Sequence, residues 1–303
     1  MMLPGAGKER GIALGGGGEW FVAWTLSFLI SARRLGVDLG TADVTVGTSA
    51  GSLVGAFLTS DRLWRGATEM GFLASHPALL ARMVRTSTGQ ASQERAARVL
   101  AEARSTNRET ILEIGRAAMA SRNAPVDGYE GALRHMLGHE SWPSPVHHVT
   151  AVDCFTGERV VIDHENGTPI VTACAASSSL PGVNGPVWIG DRYCMDGGVS
   201  TSSTHAELLA GSERVVIFSM MSLTAAEAEK RDGSFGFAER IHPGTARREA
   251  EALEAAGAKT LLVAANPEPG IDFMDPRQLA AAIEDGATRA TSMVDDLAGV
   301  WNR

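Results

Sequence analysis

The sequence predicts an α/β fold, a three-layer sandwich whose central sheet is mostly parallel and which carries a helical insertion. Two strand–loop–helix units lie in the first sixty residues, and β-branched runs return after residue 148 with helical segments between them. Consecutive units of that kind lay their strands parallel through right-handed crossovers. Between the two regions, residues 61–122 change texture. β-branched residues thin out there, while Leu, Met, Ala, Arg and Glu recur at helical spacing.

GIAL (11–14) is a short apolar run that stops at four glycines, as a buried strand entering a tight turn does. Residues 19–34 read as a helix with Arg33 and Arg34 in its last turn. VTV (44–46) is a second strand ending at Gly47, and residues 50–59 a second helix. Three or four helices are expected over 61–122, interrupted near 86–90 and 105–107. VTAV (149–152) and RVVI (159–162) form a strand pair through Thr156 and Gly157. VVIFSM (215–220) and TLLVAA (260–265) read as further buried strands, with helices near 245–256 and 277–298.

At 303 residues, 44% hydrophobic and 20% charged, the chain can fill one large core. No low-complexity linker divides it, so residues 1–303 read as one domain with 61–145 inserted as a cap. A net charge of −8 argues against nucleic acid as a partner, which would require a concentrated basic face. Cys154, Cys174 and Cys194 are odd in number and form no C-x-x-C pair, which fits a reduced, cytoplasmic setting. MMLPGAGKER holds no apolar core of a secretory signal, and the apolar stretch 20–30 is too short to span a bilayer.

GTSAG (47–51) has the form G-x-S-x-G between a strand and a helix. A sharp strand-to-helix turn strains its central residue and leaves no room for side chains two positions away. Gly47 and Gly51 meet that need, and Ser49 is left exposed at a helix N-terminus as a candidate nucleophile. Gly15, Gly16, Gly17 and Gly18 can turn several backbone N–H groups toward one point, as an oxyanion hole requires. A P-loop would need Gly-Lys-Ser/Thr after them, and a dinucleotide fingerprint a glycine where Trp20 stands. A nucleophilic serine needs a base, and Asp196, followed by Gly197 and Gly198, is the leading candidate. An Asx-turn is the competing reading of that Asp-Gly pair.

In order, GGGG, GTSAG, ASSSLPGV (176–183) and DGG resemble the blocks of patatin-like phospholipases, and VTAVDCFTGERVVI is similar to that family's strand pair before the third block. The resemblance covers most of 11–198 and is weakest over 61–145. It implies a Ser49–Asp196 dyad acting without histidine, a glycine-loop oxyanion hole, a lipid or acyl-ester substrate, and no metal or organic cofactor. Two departures stand out. Glu19, Trp20 and Phe21 follow the glycines where the family usually has Arg or Lys and then Gly. Ser200, Thr201, Ser202 and Ser203 stand where it often has Asn-x-Pro.

His205 keeps open a Ser–Asp–His chain order, although a surface or half-buried role suits it better. His135 and His139, with His147 and His148 near, lack the carboxylate of H-E-x-x-H, so no metal site is read there. Asp153, Asp163 and Asp191 are read as structural. Phe72, Leu73, Leu79, Leu80, Met83 and Val84, with Arg82 and Arg85, read as a cap helix packed on the domain; transient contact with a membrane surface is the competing reading. The insertion is expected to shape the acyl pocket. The rival functions are a broad small-ester esterase or acyltransferase on the same dyad, and a catalytically weak lipid-binding homologue. The sequence leaves oligomeric state undetermined.

Overall fold

A computed structural model describes residues 3–78, 89–121, 126–229 and 236–302. Eight strands form one sheet: β1 (Arg10–Leu14), β2 (Val44–Thr48), β3 (His147–Asp153), β4 (Arg159–Ile162), β5 (Val187–Ile189), β6 (Arg192–Asp196), β7 (Arg214–Ser219) and β8 (Lys259–Ala264). The hydrogen-bonded path runs β5-β6-β3-β2-β1-β7-β8, with β4 also paired to β3. β3, β2, β1, β7 and β8 are parallel to their neighbours in that series, while β4, β5 and β6 pair antiparallel.

Side chains alternate between two buried faces, as a sheet covered on both sides requires. Ile12, Leu14, Val216, Phe218 and Val263 face one core. It is filled by α1 (Gly18–Arg34), α2 (Ala50–Thr59) and α11 (Leu279–Trp301). Ala13, Val44, Val46, Val215 and Ile217 face the other, under α10 (Thr245–Ala255) and Ala206, Leu208 and Leu209. These are the three layers expected. Against α1, Gly286 of α11 admits close approach, since a Cβ there would lie 2.3 Å from Trp24 O. The Trp24 indole also donates to Asp285 at 2.6 Å.

The insertion supplies α3 (Leu63–Ser75), α4 (Ala91–Glu102), α5 (Arg108–Ala120) and α6 (Val126–Leu137). α3 turns Leu63, Met70 and Leu73 inward and leaves Phe72 exposed. Leu79, Leu80, Arg82, Met83, Val84 and Arg85 lie outside the described residues. Among the described residues no helix is long and apolar enough to cross a membrane.

Several elements went unread in the sequence. α7 (Ile170–Ser177) is one, and β5 and β6 form a hairpin that puts Asp196 at a strand end rather than within a loop. The cue was available: Ile189 pairs with Arg192 across Gly190 and Asp191, with Gly190 at φ +60°. Two-residue hairpin turns favour such a glycine because their twist demands positive φ. The short helices α8 (Ala225–Glu229) and α9 (Phe237–Ile241) complete the described elements.

Candidate active site

β3 holds the key to the site's position. Val149 and Thr150 pair with β4 on one side and with Gly47 and Thr48 of β2 on the other. Ala151 and Val152 also pair with β4, but their other side takes Asp196 and Met195 of β6. A strand has only two edges, so β2 and β6 share one edge of β3 and run toward each other. Thr48 stops opposite Thr150 and Asp196 stops opposite Ala151. The next residue after Thr48 is Ser49.

Ser49 has φ +52° and ψ −118°, a strained conformation for a residue with a side chain. The neighbouring glycines make the turn possible. A Cβ on Gly51 would sit 2.0 Å from Leu14 O, and one on Gly47 would sit 2.5 Å from Gly51 O. The Ser49 hydroxyl donates to Asp196 Oδ2 at 2.8 Å, and Asp196 Oδ1 accepts the Gly198 N–H at 2.8 Å. Burial pushes the Asp196 carboxyl up to about 6, against the opposing pull of the Gly198 N–H, the Ser49 hydroxyl and His205.

The segment 177–179 clamps both residues. Ser177 Oγ accepts the Ser49 N–H at 2.8 Å. The Ser177 and Ser179 carbonyls accept the N–H groups of Gly197 at 3.3 Å and Asp196 at 3.0 Å. Reading ASSSLPGV as a resemblance gave Ser177 no role, and no local pattern in the sequence marks it.

His205 is buried rather than at the surface or half-buried, and it does not touch Ser49. Its Nε2 donates to the Gly197 carbonyl at 3.1 Å, and Arg159 approaches its Nδ1 at 3.2 Å. Ser200 Oγ reaches the same Gly197 carbonyl at 2.9 Å, and Ser202 Oγ accepts the His205 N–H at 2.9 Å. Glu249 takes the Thr204 hydroxyl and the Ala206 N–H. The serine-rich stretch is therefore tied down by side chains. Asp153 accepts from Phe155 N–H and the Thr156 hydroxyl within its own turn, and Asp163 accepts the Glu165 N–H. Asp191 stands in the β5–β6 turn.

The glycine loop divides in two. Gly15 N–H donates to Phe218 O at 2.9 Å and Gly16 N–H to Ser203 O at 3.2 Å. Among the described residues no acceptor takes the N–H of Gly17 or Gly18, and both glycines line the cavity above Ser49. Gly18 is at φ +64°, and Cβ atoms on Gly17 and Gly18 would meet Met220 Sδ at 2.5 Å and Phe273 O at 2.8 Å.

That cavity, of about 230 Å³, holds Ser49 and Asp196 at one wall. Val22, Leu53, Leu180, Val183, Met220 and Phe273 make much of the rest apolar. Among the described residues the insertion reaches it only through Tyr129. Otherwise it acts from behind: a Cβ on Gly182 would lie 2.7 Å from Ala97 Cβ of α4. Residues 219–221, 236–239 and 273–274, all from the last third of the sequence, form a larger share of its lining.

Cys154, Cys174 and Cys194 are buried and unpaired. Among the described residues no group of three His, Cys, Asp or Glu side chains could hold a metal ion.

Residues 12–209 match the family described as Patatin-like phospholipase. A comparison with curated protein sequences gives no match. Similar solved structures include VipD from Legionella pneumophila, at 11% identity and TM-score 0.41, the match covering 96% of this chain and 67% of that one. The type III effector protein ExoU is another, at 14% identity and TM-score 0.38, covering 98% of this chain and 54% of that one.

Proposed function

The chain belongs to the patatin-like phospholipase family, a family of lipid ester hydrolases, and from that premise we propose that Ser49 and Asp196 are its catalytic dyad. The observation that carries this reading is the 2.8 Å hydrogen bond from Ser49 Oγ to Asp196 Oδ2 beside an apolar cavity. The substrate is the carboxylic ester of a lipid, its acyl chain lying along the apolar wall. Asp196 removes the Ser49 proton as Oγ attacks the carbonyl carbon. The free N–H groups of Gly17 and Gly18 receive the oxyanion, each such donor contributing about 3 kcal/mol in comparable enzymes. Collapse breaks the ester C–O bond, and the alcohol leaves with the proton from Asp196. Water, deprotonated by the same carboxylate, then releases the acyl group.

Hydrolysis of a medium-chain p-nitrophenyl ester and of a phospholipid panel by wild type, Ser49→Ala, Asp196→Asn and His205→Ala tests this. The dyad variants are expected to lose about 10⁴-fold in kcat. His205→Ala is expected to lose about tenfold, because it supports the Asp196 loop without touching the reacting atoms. Equal loss in all three would replace the dyad with a triad. An inert wild type would favour a lipid-binding role.

A further inference from the structure

Glu19 is the unexplained charge of the site. It opens the first turn of α1 directly after Gly18 and lines the same cavity as Ser49 and Asp196. Its Oε2 is shut off from solvent and has no hydrogen-bond partner. Two other carboxylates line the cavity, and both are accounted for. Asp196 holds Ser49 and Gly198 N–H. Glu239 Oε1 accepts the Gly244 N–H at 2.7 Å and the Leu223 N–H at 3.3 Å. Among the described residues the lining includes no lysine, arginine or histidine.

A ligand brought to Ser49 therefore meets negative charge with no lining cation to offset it. An anionic phosphodiester close to the scissile ester would lose its hydration and face Glu19 across a poorly screening, apolar space. A neutral alcohol part in the same place meets no such repulsion. Resting on the reading of Ser49 as nucleophile, we propose that Glu19 sets substrate choice: it favours esters whose alcohol part is uncharged, such as acylglycerols, over glycerophospholipids.

The choice should depend on pH. Burial is the largest influence on Glu19 and raises its carboxyl to about 7; Asp272 raises it too, and its own N–H opposes them. The groups facing it are Asp272, the Tyr129 phenol and, across the cavity, Asp196 and Glu239. As pH rises through 7 Glu19 gains its charge, and repulsion of a phosphodiester, whose own charge is constant in this range, sets in. As general base Asp196 affects both substrates alike, and that part cancels in their ratio; its charge, gained around pH 6, adds a repulsion that Glu19→Gln retains.

The experiment compares kcat/KM for a diacylglycerol and a phosphatidylglycerol of identical acyl chains, in mixed detergent micelles from pH 6 to 9, for wild type and Glu19→Gln. For wild type the diacylglycerol should be preferred, and the ratio should rise about tenfold across that range; in Glu19→Gln it should be lower and, once Asp196 is charged, flat from about pH 7 upward. A wild-type preference for phosphatidylglycerol, or a flat wild-type ratio, overturns the proposal even if the variant fails to fold. A ratio that Glu19→Gln leaves unchanged does so as well. Labelling of wild type but not Ser49→Ala by a fluorophosphonate separates the two readings. With labelling, a flat ratio defeats the Glu19 proposal alone; without it, the nucleophile reading fails and takes this one with it.

Discussion

Ser49 and Asp196 are 147 residues apart in the chain, yet they meet because β2 and β6 end head to head on one edge of β3. Both strands end there, β2 opposite Thr150 and β6 opposite Ala151. Gly197 then passes so close to β3 that a Cβ would lie 2.5 Å from Thr150 O. The hydrogen bond between the two side chains thus rests on backbone register, which rotamer freedom alone cannot disturb.

Activity should follow the charge of Asp196. A general base must be ionised, and burial has raised this carboxyl from 3.8 to about 6. The acid limb of kcat/KM on an uncharged ester is therefore expected near pH 6. A limb near pH 4 would mean that Asp196 is hydrated in solution and not enclosed as described.

The same shift has a cost in stability. A carboxyl with a raised folded pKa binds its proton more tightly folded than unfolded, so its contribution to stability falls as pH rises from 3.8 through about 6. At pH 8 the buried charge opposes folding by about 3 kcal/mol, to order of magnitude. Asp196→Asn keeps the shape and removes the charge. Its denaturation midpoint should exceed that of wild type at pH 8, and the gain should vanish near pH 4. A variant less stable than wild type at pH 8 would show that the Ser49 and Gly198 hydrogen bonds outweigh desolvation.

Much of this site was legible in residue order, and what was missed has a physical pattern. β1, β2 and α2 announce themselves through short apolar runs broken by glycine, and Gly47 and Gly51 through the crowding of a sharp turn. β6 was missed because RYCMD mixes exposed Arg192 with buried Cys194, Met195 and Asp196, which blurs any alternation. The partners of the glycine N–H groups depend on Phe218 and Ser203, some two hundred residues away, and no local pattern encodes them. Ser177 is likewise defined only by what folds over it.

Support for the Asp196 loop should show as a split between positioning and chemistry. Ser202 Oγ accepts from the N–H groups of Thr204 at 3.1 Å and His205 at 2.9 Å, holding His205 at φ +49° under the Gly197 carbonyl. Ser202→Ala strands two buried N–H groups and should lower stability by about 1–3 kcal/mol. Fluorophosphonate labelling of Ser49 should slow but persist, with the acid limb displaced as Gly197 and Gly198 shift against Asp196. Wild-type labelling rates with an unmoved limb would make the serine network dispensable.

Two glycine substitutions contrast catalytic with structural need. A Cβ on Gly16 would lie 3.3 Å from Ser49 Cβ and 3.9 Å from its Oγ, so Ser49 must give by a few tenths of an ångström. Displacements on that scale at a nucleophile cost rate before they cost folding. Gly16→Ala should therefore fold with a small loss of stability while kcat falls about 10–100-fold. Gly71 lies inside α3, where a Cβ meets nothing within 4 Å. There glycine contributes only backbone entropy to the unfolded chain, so Gly71→Ala should raise stability by about 1 kcal/mol and leave kcat unchanged. Chemical denaturation and ester turnover on the two variants separate the cases, and an active Gly16→Ala enzyme would mean that the loop stands farther from Ser49 than 3.3 Å.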